Sequence, residues 1–141
     1  MKVLLDTCVL AELRSAGGHP QVKEAVSQIL DDSLYLSVLT VGEIAKGIAL
    51  LESGRKRQAL TSWFNGLVTQ FSDRILSIDL QTAQLWGELT AKTQRNGIVI
   101  PAVDGLLCAT ALRHGMSIMT RNTRHFHVSG ALIVDPWQVQ S

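Results

Sequence analysis

Four residues far apart in the chain, Asp6, Glu43, Asp104 and Asn122, have side chains of the type that hold a hard cation. Three carboxylates crowded at one place repel one another and raise each other's pKa unless a cation stands among them. Oxygen donors, with no His or Cys at ligand spacing beside them, favour magnesium or manganese over zinc. Mg²⁺ takes one or two carboxylates directly and leaves the rest of its octahedron to water and phosphate oxygens, an arrangement suited to phosphodiester hydrolysis. In that chemistry Asp6 and Asp104 are assigned as direct ligands. Glu43, the third carboxylate of the metal set, holds or deprotonates the attacking water, and Asn122 holds a water or a substrate phosphate from further out. Thr7 and Thr120 add hydroxyl contacts. Arg121 and Arg124 are candidates for phosphate contact, because guanidinium matches phosphate geometry, with a structural salt bridge as the alternative.

Each residue also has a purely structural explanation. Asp6 suits a helix N-cap, and Thr40-Val41-Gly42-Glu43 matches a capping box in which Glu43 folds back onto the Thr40 N–H. Asp104 in a first helical turn complements the helix dipole, and Asn122 suits a cap or a left-handed turn. His125 and His127 flank Phe126 near the site, but read as surface histidines on a loop. Cys8 and Cys108 read as buried thiols rather than ligands.

For these residues to act together, the fold must gather them. Val3-Leu4-Leu5 is a short apolar run followed by Val9, Leu10 and Leu13 at helical spacing, which reads as strand then helix. Gly17-Gly18 and Pro20 break the chain before a helix over 21–30. A strand over 34–37 leads to a helix beginning at Thr40. Leu60, Trp63, Phe64 and Leu67 recur at i, i+3, i+4, i+7, defining a helix over 55–71 that pairs with the preceding one. A strand over 74–78 follows, then a helix over 80–95 closed by Asn96-Gly97. Pro101 opens another helix that runs to His114-Gly115, and strands over 116–119 and 131–134 complete the chain. Strands alternating with helices predict an α/β fold of three layers, a central parallel sheet flanked by helices. In such sheets ligands bind beyond the carboxyl ends of the strands, which is where Asp6 and Asn122 fall and where the helices carrying Glu43 and Asp104 begin.

The 141 residues fit a single domain over 1–141, and no repeat, low-complexity tract or linker divides it. Hydrophobic residues form 46% and charged residues 18%, enough apolar material for a packed core. No apolar run approaches the roughly 20 residues of a membrane span, and Asp6 interrupts the N-terminal run before signal-peptide length, so a cytoplasmic location is expected. Two cysteines make neither a disulfide framework nor a paired-cysteine zinc motif. A formal charge of +1 excludes coating of nucleic acid by charge alone, leaving local clusters such as Arg55-Lys56-Arg57 and the stretch 121–127.

Five segments in register resemble one known family. They are Val3-Leu4-Leu5-Asp6-Thr7, Leu39-Thr40-Val41-Gly42-Glu43-Ile44, Pro101-Ala102-Val103-Asp104, Met119-Thr120-Arg121-Asn122 with Phe126, and Asp135-Pro136-Trp137. Together they resemble the PIN-domain ribonucleases, specifically the VapC/FitB toxins of bacterial toxin–antitoxin pairs. The resemblance implies a PIN fold, an Mg²⁺- or Mn²⁺-dependent endoribonuclease with RNA as substrate, and a homodimer. It also implies a cognate antitoxin that blocks the site and itself carries the operator-DNA contact. Family acids match Asp6, Glu43 and Asp104, and often a fourth Asp or Asn matches Asn122. Many relatives have Asp where this chain has His125 and Asn where it has Cys8. Asn rather than Asp at 122 lowers the negative charge, so one metal is expected, and two only with substrate. Two other classes compete. Of phosphotransfer domains, a dehalogenase-like one needs a second acid where Cys8 stands and a receiver needs an acidic pair near the first strand and a late Lys, neither of which appears, and a catalytically silent PIN-like binding module would have lost an acid that this chain keeps.

Overall fold

Five apolar runs, none long enough to be stable alone, share one sheet in the computed structural model, which describes residues 1–127 and 129–138. β1 (Val3–Leu5), β2 (Leu34–Ser37), β3 (Ile75–Leu76), β4 (Ser117–Met119) and β5 (Leu132–Val134) lie in the order β3-β2-β1-β4-β5. Every pairing is parallel. A parallel sheet needs cover on both faces, and successive residues of a strand point to opposite sides. Val3 and Leu5 therefore face one layer, with α1 (Thr7–Arg14), α2 (Pro20–Ser27) and α4 (Arg55–Gln70) supplying Val9, Leu10, Val22, Val26 and Leu67. Leu4 and Ile118 face the other, where α5 (Leu80–Arg95), α6 (Ala102–His114) and α7 (Thr123–His127) supply Leu89, Leu107, Ala111 and Phe126. This is the expected three-layer α/β arrangement. The last three residues of the chain and Val128, part of the expected 1–141 domain, lie outside the described residues.

Several boundaries differ from expectation, each for a local reason. The helix after β2, α3 (Val38–Ala49), begins two residues before Thr40, because the buried Ser37 hydroxyl accepts the Leu39 N–H at 3.1 Å and caps it there. Thr40 is thus inside the helix, and the capping-box reading of Glu43 is excluded. β3 holds only Ile75 and Leu76 of the strand expected over 74–78. Its partner β2 ends at Ser37, opposite Leu76, and beyond that register there is no strand to pair with. A five-residue helix, α7, stands where a loop was expected, held by Phe126, which is wholly buried.

The helix expected over 21–30 is α2 and ends at Ser27, whereas two other helix limits obey their end signals. Asp79 caps α5 by accepting the Thr82 N–H at 2.8 Å. Gly115, at φ +65°, ends α6 in the left-handed conformation that glycine adopts without strain, and Met116 N–H returns to Ala111 O at 2.9 Å. At the α4–β3 corner the Arg74 guanidinium donates to the carbonyls of Leu34 (3.0 Å), Gln70 (2.9 Å) and Asp31, tying that corner to β2. Among the described residues no helix is long and apolar enough to cross a membrane.

Leu36, on β2, is 0% exposed, so Leu36→Ala is expected to cost about 2–5 kcal/mol in urea denaturation. Leu132, on the edge strand, is 70% exposed, and Leu132→Ala is expected to stay within about 0.5 kcal/mol of the parent.

Candidate functional site

Between β1 and β4 the sheet has its switch point. The chain leaves β1 into α1 on one face and leaves β4 into α7 on the other, so a crevice opens at the adjacent carboxyl ends. Asp6 is the first residue past β1. Its N–H donates to Met119 O at 3.0 Å, which stitches it to the end of β4. Its Oδ1 accepts the Thr7 N–H and its Oδ2 the Thr120 hydroxyl, each at 2.8 Å. Asp6 is thus the helix cap that its type suggested, and its carboxylate also reaches across to the neighbouring strand.

Thr120, fully buried just past β4, holds both sides of the crevice. Its N–H donates to Val134 O at 3.0 Å, and its Oγ1 accepts the Asn122 N–H at 3.0 Å while donating to Asp6. Opposite, the Thr7 hydroxyl donates to Glu43 Oε1 at 3.0 Å, bringing an exposed acid from α3 to the start of α1. Asp104, in the first turn of α6, has its Oδ2 at 3.5 Å from Asn122 Nδ2 and at 2.7 Å from His125 Nδ1. An unbroken series of hydrogen bonds therefore runs from Glu43 through Thr7, Asp6, Thr120 and Asn122 to Asp104 and His125. All four principal candidates and both threonines belong to it.

His125 is the residue that sequence reasoning set aside. It lies on α7 three residues after Asn122, one helical turn along, and the burial of Phe126 beside it turns the imidazole towards Asp104. The 2.7 Å contact with a carboxylate makes Nδ1–H the donor there, so the Asn122 amide at 3.1 Å does not also donate to that nitrogen. The i, i+3 spacing from Asn122 was the available signal, hidden because five residues are too few to show helical periodicity. His127, on the same helix, is exposed.

The acids carry little compensating charge. Among the described residues Asp104 pairs only with His125, side chains 19% and 35% exposed, and neither Asp6 nor Glu43 takes part in an ion pair. No three His, Cys, Asp or Glu side chains among the described residues form by themselves a group that could hold a metal ion. Arg121 and Arg124 are exposed, with Arg121 stacked over the Trp137 ring at 5.6 Å, and neither is in an ion pair among the described residues.

Both thiols are shifted towards the protonated form. Burial pushes Cys108 up to about 11, and the charges of Asp104 and Asp6 add to that effect. Cys8 is raised by burial and by the Asp6 charge, and its Sγ lies 3.9 Å from Asp6 Oδ2 and 3.8 Å from Thr120 Oγ1.

A parallel α/β/α sheet with acids collected at its switch point defines a class, and comparison with known proteins supplies the family. The chain belongs to the PIN-domain family, whose model matches residues 3–131. It is 32% identical to the VapC ribonuclease Y4jK of Sinorhizobium fredii, over 96% of this chain and 98% of that one. It is 34% identical to toxin FitB of Neisseria gonorrhoeae, with the same coverage. The structure of FitAB bound to an IR36 DNA fragment contains a chain that matches at a TM-score of 0.93 and 30% identity, over 99% of this chain and 98% of that one.

A raised thiol pKa means less thiolate at any given pH, so alkylation is suppressed until the pH passes the ordinary cysteine value. Iodoacetamide at pH 8 is expected to label Cys8 more slowly than glutathione, and Cys108 only after unfolding. Labelling of native Cys8 at the glutathione rate would contradict the environment described.

Proposed function

We propose that this chain, acting as one PIN domain over its 141 residues, is the toxin of a toxin–antitoxin pair: an Mg²⁺-dependent endoribonuclease in which Mn²⁺ can substitute. The observation that carries the reading is the hydrogen-bonded row joining Glu43, Asp6, Asn122 and Asp104 at the β1/β4 switch point. Its likeness to a VapC ribonuclease and a FitB toxin supports it. The donor set fits a hard divalent cation, since it is made mainly of carboxylate oxygens and only Asp104 among its acids has a counter-charge among the described residues.

The cation, when bound, supplies positive charge at the phosphate and acidifies a water for attack on phosphorus. The protein's own groups do the rest. Asp6 and Asp104 provide the anionic oxygens that hold the cation, and Thr120 fixes which way the Asp6 carboxylate faces. Thr7 occupies Glu43 Oε1 and leaves Oε2 to accept the proton of the attacking water. As the new phosphorus–oxygen bond forms, the bond to the leaving ribose oxygen breaks, and that oxygen takes a proton from solvent. The Asn122 amide can donate to a phosphate oxygen. Arg124, and Arg121 over the Trp137 ring, are the candidates for contact with backbone phosphates.

An antitoxin is the expected protein partner, because related chains are seen with theirs, and contact with operator DNA then runs through that partner. A mostly apolar groove of about 280 Å³ between α1, α3 and α4 is lined by Leu10, Ile44, Ile48 and Trp63 and starts at Thr7, so a segment lying in it would also cover Glu43. The exposed apolar side chains Leu80 and Val99 suit burial in a homodimer. Both roles imply the cytoplasm, where RNA and partner are present.

The test is cleavage of total tRNA and ribosomal RNA by partner-free protein in Mg²⁺ or Mn²⁺, read as discrete fragments on a gel. EDTA, Asp6→Asn and Asp104→Asn are each expected to abolish cutting, and Thr120→Val to slow it by roughly 10–100-fold. Cutting that survives EDTA or either acid variant would refute the mechanism.

A further inference from the structure

Asp104, Asn122 and His125 form a closed triangle of polar contacts. Its edges are 2.7 Å (Asp104 Oδ2 to His125 Nδ1), 3.1 Å (His125 Nδ1 to Asn122 Nδ2) and 3.5 Å (Asn122 Nδ2 to Asp104 Oδ2). Adjacent donors on an octahedral divalent ion with bonds of about 2.1 Å stand about 3.0 Å apart. The three atoms therefore bracket the dimensions of one octahedral face. The chemistry needs two adjustments: the His125 proton moves from Nδ1 to Nε2, freeing the Nδ1 lone pair, and the Asn122 amide turns over to present its Oδ1 in place of Nδ2, which occupies nearly the same position.

From this we infer that His125 is a metal ligand through Nδ1. With Asp104 Oδ2 and the Asn122 carbonyl oxygen it forms a facial nitrogen–oxygen triad that holds Mn²⁺ and related transition ions more tightly than the Mg²⁺ of the proposed reaction. The inference rests on the ribonuclease reading for the metal's role and deepens it by naming the class of ion. One imidazole changes the selectivity, because nitrogen donors favour first-row transition ions, whereas Mg²⁺ keeps to oxygen and water. As a ligand the ring is neutral and carries its proton on Nε2. A triad of three donors would leave further positions for water, phosphate oxygens and the Asp6 carboxylate.

The triad is also held in advance. Asn122 is fixed by its N–H bond to Thr120, a buried residue. His125 is fixed by the helix that the buried Phe126 anchors, and Asp104 by the first turn of α6. None of the three has to travel to close on a cation, which lowers the ordering cost of binding.

The experiment is Mn²⁺ titration of the full chain, followed by loss of the free-ion EPR signal, with pulsed EPR on the bound ion to detect ¹⁴N coupling from a coordinated imidazole. Wild type is expected to bind one Mn²⁺ with ¹⁴N coupling and to prefer it to Mg²⁺ in competition. His125→Gln should lose the coupling and weaken Mn²⁺ binding at least about tenfold. His125→Asp should keep an ion but lose the coupling and shift preference towards Mg²⁺. Circular dichroism checks that both variants fold. Mn²⁺ bound without ¹⁴N coupling, or coupling that persists in His125→Gln, overturns the triad and leaves the ribonuclease reading standing. Failure of wild type to bind Mn²⁺ at all overturns both.

Discussion

The pairing of β1 with β4 governs the rest of the molecule. These strands are far apart in sequence, and their parallel alignment, Val3 to Ser117 through Leu5 to Met119, brings two carboxyl ends side by side. The bond from Asp6 N–H to Met119 O continues that ladder one residue beyond the strand, and the Thr120 hydroxyl closes on the Asp6 carboxylate just above it. A one-residue slip in this register would send Leu4 and Leu5 to the wrong layers as well as dispersing the site, so the core and the site are specified by the same alignment.

Stability and function are divided along the strand axis. Below the switch point β1 and β4 are buried along their whole length, and the core fixes the strand ends to within side-chain packing. Above it, Asp6, Asn122, Asp104 and Glu43 are half-buried or exposed, and hydrogen bonds rather than packing link them. The threonines mediate between the two regions. Thr120 is buried deeply enough to be rigid and polar enough to orient an acid, and Thr7 does the same for Glu43 at the surface.

Much of this was legible in the residues. The run Leu34–Ser37 marked its strand to the residue, Asn96-Gly97 and Gly115 marked helix ends, and the alternation of strands and helices fixed a parallel three-layer fold. Asp6, Glu43, Asp104 and Asn122 were named from type and position alone, and the fold joins them in one hydrogen-bonded row. What escaped was decided by tertiary context. Nothing local distinguishes the Ser37 cap from the Thr40–Glu43 capping box, because the choice depends on where β2 stops pairing. The shortness of β3 follows from that same stop. The helix α7 rests on the burial of a single Phe126, too little for a periodic pattern to reveal, and so His125 read as a loop residue when it faces Asp104 at 2.7 Å.

The central claim is that Asp6 and Asp104, brought to one crevice by the β1/β4 alignment, jointly hold a divalent cation. Crystals of the protein grown with MnCl₂ and measured at the manganese absorption edge test it most directly. The account predicts an anomalous peak at the β1/β4 switch point, within coordination distance of carboxylate oxygens from both residues and lost in Asp6→Asn. A peak elsewhere on the molecule, or none at this crevice in a crystal that holds Mn²⁺, would contradict it.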